Sequence, residues 1–157
     1  MIENFIRQFT KKKIVDQKDL LVLHEKCFFV NERLKKTMEI IAKKTSQEPI
    51  YAGLYLGKQK GYTFFPSVSL LEIIKPFVHD VIVVNDEVAF LFICGRDIFS
   101  QGILKKRGTC AENTLVFVED KENNLLGFGK RVHPITSKKE VVTNIFDVGD
   151  FLRREKD

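Results

Sequence analysis

Gly95-Arg96-Asp97-Ile98-Phe99-Ser100-Gln101-Gly102-Ile103, then Lys105-Lys106-Arg107, Thr114-Leu115-Val116-Phe117-Val118-Glu119-Asp120 and Leu125-Leu126-Gly127-Phe128-Gly129-Lys130-Arg131-Val132, is the stretch on which the fold turns. Thr114–Val118 and Leu125–Val132 are short runs rich in Val, Phe and Leu, separated by an acidic and polar turn, and they read as paired strands. Arg96 to Ser100 is bracketed by glycines, with Gly102 at the usual stop position, and reads as one or two helical turns. The segment Lys105-Lys106-Arg107 reads as a basic loop.

Outward from this stretch the same texture continues. Val81–Val84 and Val88–Ile93 precede it and Val141–Phe146 follows it; their short, even separations suit a small barrel. Asp150–Glu155 reads as a final helical turn. Before residue 80 the pattern differs. Ile2, Phe5, Ile6 and Phe9 fall on one face of a short helix, with Lys11-Lys12-Lys13 beyond its carboxyl end. Leu20–Leu23 and Cys27–Val30 read as two strands joined by a tight turn. Asn31 caps an amphipathic helix whose Leu34, Met38 and Ile41 recur at intervals of four and three. Ile50–Leu56 and Tyr62–Phe65 flank Gly57–Gly61 as a hairpin. Ser69-Leu70-Leu71-Glu72 has the form of a capping box, and Pro76 ends the helix that it opens. The reading is an α+β protein, with an α/β domain at 1–79 packed against a β pseudo-barrel at 80–157. No Pro, Gly or Ser linker separates them, so they are expected to pack rigidly.

Composition narrows the function. The chain of 157 residues has 44% hydrophobic and 30% charged residues, a globular and not a disordered mixture. No uninterrupted apolar run reaches membrane-spanning length, and Met1–Lys13 lacks the apolar centre of a signal peptide, so a cytoplasmic protein is expected, with no membrane partner. Cys27, Cys94 and Cys110 have no C-x-x-C spacing and read as free thiols; His24, His79 and His133 are scattered, so no metal or cofactor is expected. The net charge of +5 favours polyanions. Residues 1–80 hold 14 Lys and Arg against 9 Asp and Glu, whereas residues 81–157 hold 12 of each. In the second half it is therefore arrangement, not excess, that matters.

The order strand, G-R-D-I-F-S-Q-G-I, basic segment, T-L-V-F-V-E-D and L-L-G-F-G-K-R-V resembles a PUA domain, a small pseudo-barrel named after pseudouridine synthase and archaeosine transglycosylase. Gly95, Gly102, Ile103, Val116, Leu126, Gly127 and Gly129 fall where its signature expects them. C-F-F-V-N-E at Cys27–Glu32, L-Y-L-G-K at Leu54–Lys58, F-P-S-V-S-L-L-E at Phe65–Glu72 and D-V-G-D-F-L-R-R-E at Asp147–Glu155 extend the likeness to the Nip-type ribosome biogenesis proteins. The start is abbreviated, and the lysine-heavy character is closer to an archaeal member than to a eukaryotic one. The resemblance implies a non-catalytic factor that binds precursor ribosomal RNA during large-subunit assembly, contacting ribosome assembly or RNA-processing proteins.

It also implies an RNA grip in four groups: Arg96 with Lys105, Lys106 and Arg107; Lys130 with Arg131; Lys138 with Lys139; and Arg153 with Arg154. Their cations would pair with phosphates and release counterions, while Gly108, Gly127 and Gly129 would admit a close backbone. The bland alternative for each is a solvated loop charge. Phe128, between two glycines, is a candidate for stacking on a base, set against the commoner role of filling the interior. Lys11–Lys13, Lys35, Lys36, Lys43, Lys44, Lys58 and Lys60 form either a second RNA contact or a solvated lysine surface. Cys110 lies near cations that would lower its pKa, but no histidine stands close in sequence to make it catalytic. Two rival classes stand beside RNA binding. One is an RNA-modifying enzyme or its tightly bound non-catalytic subunit, and against the enzyme no G-x-G-x-x-G or Walker pattern is present in the first half. The other is a protein adaptor, which would show an exposed apolar patch.

Overall fold

The computed structural model describes residues 2–45, 49–150 and 153. The chain divides into two compact units, Met1–Arg7 with Lys11–Ile74, and Gln8–Thr10 with Lys75–Asp157.

In the first unit α1 (Ile2–Ile6) buries Ile2, Phe5 and Ile6. It stops short of the expected Phe9, which takes its burial among aromatic rings of the second unit. Strands β1 (Leu20–Leu23) and β2 (Lys26–Phe29) pair antiparallel from Leu20↔Phe29 to Leu23↔Lys26. The turn between them is His24-Glu25, both with left-handed φ (46° and 67°), as a two-residue hairpin turn that follows the strand twist requires. Helix α2 (Glu32–Thr45) is capped by Asn31, whose Oδ1 accepts from the Leu34 amide at 2.8 Å. Leu34 and Met38 pack on Phe28, Val30 and Ala52. Ile41, expected on the same face, is 52% exposed.

The hairpin of β3 (Leu54–Lys60) and β4 (Thr63–Pro66) turns at Gly61-Tyr62, not across Gly57–Gly61. Gly57 instead lies inside β3, opposite Pro66 and Cys27. The polar run Lys58-Gln59-Lys60 is half-buried to exposed ribbon, and its composition imitated a turn. Helix α3 (Val68–Ile74) is capped by Ser67 and not by Ser69: Ser67 Oγ accepts from the Leu70 amide at 3.2 Å and donates to the Tyr55 carbonyl at 2.8 Å. The four strands run in sequence order, β1-β2-β3-β4.

The second unit contains β5 (Val81–Val84), α4 (Asp86–Ile93), β6 (Ile98–Phe99), β7 (Ile103–Arg107), β8 (Leu115–Glu119), β9 (Leu125–Arg131) and β10 (Glu140–Asp147). The strand order is β6-β10-β9-β8-β5-β7, parallel between β5 and β8 and antiparallel elsewhere. Laid flat, the edge strands of such a sheet would stand about 24 Å apart at ~4.8 Å per strand. Yet β6 and β7 are joined by the single 3₁₀ turn Ser100–Gly102, and four Cα steps reach at most about 15 Å. The sheet therefore curls back on itself as a PUA-like pseudo-barrel, in the expected α+β class. Its interior holds Ile82, Val84, Ile98, Val116, Val118, Leu126 and Val142, with Ala89 and Phe92 from α4.

Three expectations are corrected here. Val88–Ile93 is a helix and not a strand. Its short apolar run carries no decisive period, and the start signal wins: Asn85 Oδ1 accepts from the Val88 amide at 2.9 Å, and Asp86-Glu87 occupy the first turn. Gly95–Gly102 is not helical throughout, since Ile98–Phe99 forms β6 against Glu140 and Val142. Lys105–Arg107 is not a loop but belongs to edge strand β7. Gly102 is required by a close approach: a Cβ there would lie 2.0 Å from Cγ2 of Val88 on α4. Asp150 and Arg153 are helical; the rest of the expected last turn lies outside the described residues.

The other face of this sheet is also buried. The register aligns Val81, Phe117, Phe128 and Phe146 in one row. Phe9 meets Phe117 and Phe128 edge to face at 4.9 and 5.3 Å, and Phe128 stacks on Phe146 at 5.7 Å, geometries that aromatic pairs favour.

Candidate nucleic-acid interface

Three arginines of the expected grip are engaged inside the fold. Arg107 Nη2 donates to Oε2 of Glu119, whose side chain is only 2% exposed. On the strand parity 115, 117, 119, Glu119 shares the buried face of Phe117, and a carboxylate there needs a partner. Arg153 holds Asp147, equally buried, through Nη1–Oδ1 at 3.0 Å and Nη2–Oδ2 at 2.7 Å. The same guanidinium donates to the Ile93 carbonyl at the end of α4. Asn144 completes this network, donating from Nδ2 to the Phe92 carbonyl at 2.8 Å and to Asp147 at 3.2 Å. Arg153 and the neutral Asn144 amide thus satisfy the last carbonyls of α4, and Arg153 also neutralises a buried acid. The hydrogen bonds to Asp147 hold the Arg153 pKa above its ordinary value. Arg131 donates to the Cys110 carbonyl. Arg154 lies outside the described residues.

The loop after β7 is fastened from several sides. Asp80 Oδ1 accepts from the Cys110 amide at 2.9 Å, and Lys106 Nζ donates to the Thr109 carbonyl at 3.1 Å. The Cys110 thiol is buried and donates to the Arg107 carbonyl at 3.0 Å. Burial, followed by the nearby Asp80 charge, pushes its pKa up. This is opposite to the lowering expected from the neighbouring cations, so Cys110 is a protonated structural thiol.

The glycines and Phe128 are likewise used internally. A Cβ on Gly127 or Gly129 would meet the Phe146 or Thr143 carbonyl at 2.1 or 2.4 Å, so the backbone that approaches closely is that of β10. Gly108 is similarly closed off by Asp80 and His79. Phe128 is 3% exposed and already stacked; it fills an interior, on the sheet face opposite the barrel core.

What stays on the surface is Arg96, Lys105, Lys106, Lys138 and Lys139, with Lys130 half-buried between Leu115 and Thr143. Glu140 lies opposite Phe99, so Lys138 and Lys139 enter the sheet beside β6. Four residues after Phe99, β7 begins and carries Lys105 and Lys106. The two edge strands of the curled sheet thus each carry a cation group: Lys138 and Lys139 lead into β10 beside Phe99, a ring 49% exposed, and Lys105 and Lys106 lie along β7. Lys130 lies on β9, with β8 and β5 between it and β7 but only β10 between it and β6. Phe99 was missed in the sequence because its segment read as helical; the apolar pair Ile98-Phe99, with one residue for each face, was the available signal.

Among the described residues no group of three His, Cys, Asp or Glu is placed to hold a metal ion, and no helix is long and apolar enough to cross a membrane.

Residues 80–156 match the family model described as the UPF0113 PUA domain. A UPF0113 protein from Archaeoglobus fulgidus is 34% identical over 79 residues, covering 46% of this chain and 45% of that protein. The match thus spans less than half the length of this curated relative. A conserved PUA domain protein from Thermoplasma acidophilum shares the fold with a TM-score of 0.61 and 16% identity, covering 98% of this chain and 93% of that one. A PUA domain from Aeropyrum pernix K1, solved as a tartrate complex, superposes with a TM-score of 0.59 and 12% identity, covering 96% and 83%. At such identities the likeness is one of fold. The second half of the chain is a PUA domain.

Proposed function

We propose that this chain is a non-catalytic RNA-binding protein whose PUA domain holds precursor ribosomal RNA during large-subunit assembly in the cytoplasm, alongside assembly or RNA-processing proteins. The observation that carries the reading is the pair of edge strands of the curled sheet, where exposed Lys138 and Lys139 lead into β10 beside the exposed Phe99 of β6 and exposed Lys105 and Lys106 lie on β7, on a fold of the PUA type. Ammonium groups at such edges neutralise phosphates, and an exposed ring offers a platform for an unpaired base. The arginines tied to Glu119 and Asp147 shape the domain and leave RNA contact to the lysines.

The test is fluorescence anisotropy with single-stranded and ribosomal RNA across a salt series. Wild type should lose affinity with a log-log slope of about −0.7 for each phosphate neutralised on a single strand. Lys105→Glu/Lys106→Glu and Lys138→Glu/Lys139→Glu should each weaken binding and flatten that slope. Phe99→Ala should weaken single-strand binding by about tenfold at unchanged slope. No binding by wild type, or equal binding by all variants, overturns the reading.

A second reading, a protein adaptor, is favoured by one observation: the outer side of α2 exposes Ile40 and Ile41 by more than half. Retention of a ribosome assembly protein by the wild type, lost in Ile40→Lys/Ile41→Lys while RNA binding persists, would place the adaptor role on that helix.

A further inference from the structure

Away from the PUA domain, the first unit has a hollow of about 140 Å³ lined by Glu3, Ile6, Arg7, Lys11, Lys12, Lys13, Ile14 and Val15. Its apolar lining includes Ile6 and Val15, 3% and 4% exposed, and four of the remaining linings are cations. Lys13 is paired with Asp16. Arg7 and Lys11 are exposed, and among the described residues neither has an ion pair. A buried water needs about 10–15 Å³ of such space, so the hollow is large enough for a tetrahedral oxyanion with some of its hydration. Buried aliphatic side chains on one side lower the effective dielectric, which strengthens attraction between the cations and a bound anion. Glu3 is the one acid in the lining, so the balance stays positive.

We infer that this hollow is a phosphate-binding site in which Arg7 and Lys11 supply the principal contacts. A guanidinium offers two parallel N–H donors to a phosphate edge, and the ammonium supplies a point charge beside it. The group bound is either a backbone phosphate of RNA or a free phosphate. The former would make the first unit a second contact for an RNA held by the PUA domain, and that source alone rests on the RNA-binding reading.

The experiment titrates the full chain with inorganic phosphate and, separately, with single-stranded RNA, following amide and arginine side-chain resonances by NMR. Wild type should show saturable phosphate-dependent shifts confined to residues 3–15. Arg7→Gln/Lys11→Gln should bind phosphate at least about tenfold more weakly, as expected for losing hydrogen bonds to a charged group, whereas Lys60→Gln, an equal charge loss on the hairpin, should not. If the double variant also flattens the salt dependence for RNA, the phosphate belongs to RNA; unchanged RNA binding with lost phosphate binding assigns a free phosphate. Wild type without shifts near residues 3–15 in either titration, or with shifts that persist in the double variant, overturns the site. Failure of all RNA binding with the phosphate shifts intact would remove the RNA reading and leave this site standing.

Discussion

The two halves of the molecule handle positive charge in opposite ways. In residues 1–80 cations outnumber acids 14 to 9, and Lys36, Lys43, Lys44 and Lys60 stand exposed on the surface. In residues 81–157 the count is balanced at 12 to 12, and two of those cations, Arg107 and Arg153, are bound to carboxylates that the fold buries. Guanidinium groups suit this inward role, being planar, permanently charged and weakly hydrated, whereas lysine keeps its ammonium in water. Clustered charge in a sequence is thus not one signal. A lysine pair on an edge strand is available to a ligand; an arginine whose acid lies on a buried strand face belongs to the architecture.

The largest effect that tests this contrast is expected at Arg153. Replacing it with Ala leaves Asp147 buried with, among the described residues, the Asn144 amide as its side-chain donor, and removes a partner of the Ile93 carbonyl. Breaking a buried pair costs about 3–5 kcal/mol; since the arginine is 40% exposed, water relieves part of this, and about 3 kcal/mol is expected. Urea unfolding should show a lower midpoint at unchanged slope. Arg107→Ala, which strands Glu119 but breaks a single contact, should cost about 2 kcal/mol in the same assay. If either variant stays as stable as wild type while losing RNA affinity, the division between architectural arginines and available lysines fails.

Much of the fold was legible because local signals and packing agreed. The apolar runs at Thr114–Val118 and Leu125–Val132 marked strands that are strands, at Leu115–Glu119 and Leu125–Arg131, and Asn31 marked the start of α2. The reading failed where two signals competed. Val88–Ile93 read as a strand from its β-forming side chains, because six apolar residues fit either period, whereas the Asn85 side chain that caps α4 decides for the helix. At Ser67 and Ser69 two hydroxyls stood two residues apart, and only the tertiary bond to Tyr55 distinguishes them. The candidate site was legible as a set of cations but not as a surface. That Arg107 would turn to Glu119 depends on the register of β5, β7 and β8 and on which sheet face is covered, and neither is local in sequence. Phe99 was hidden for the same reason, since its exposure follows from the edge position of β6.

The contrast extends to the thiols at intermediate effect size. Burial pushes the pKa of both Cys27 and Cys110 up from an ordinary 9.0, and burial likewise raises Tyr55 from 10.0. A raised folded pKa means that the folded chain retains protons that the unfolded chain releases. The associated stability is complete below the unfolded values and is lost as pH rises through the folded ones. The urea midpoint should therefore fall as pH is taken above about 9. At pH 8 a thiol reagent should label Cys94, the exposed cysteine, rapidly, and Cys27 and Cys110 only after unfolding. Rapid labelling of Cys110 in the folded chain would restore the reactive thiol that its cationic neighbours suggested.

The smallest effect is expected in the lysine surface of the first unit, and it is the most demanding check. Lys36 pairs with Glu32 at 2.8 Å one helical turn away, with both side chains at least 70% exposed. Such a pair gains little Coulomb energy in water and loses side-chain freedom, so a double-mutant cycle between Lys36→Ala and Glu32→Ala should give about 0.3–0.5 kcal/mol, shrinking with salt. A coupling near that of Arg153 with Asp147 would mean that exposure does not separate the two kinds of charge. A coupling near zero, beside a loss of about 3 kcal/mol at Arg153, would mean that burial of the acid, and not proximity of the opposite charge, decides which cations of this chain are structural.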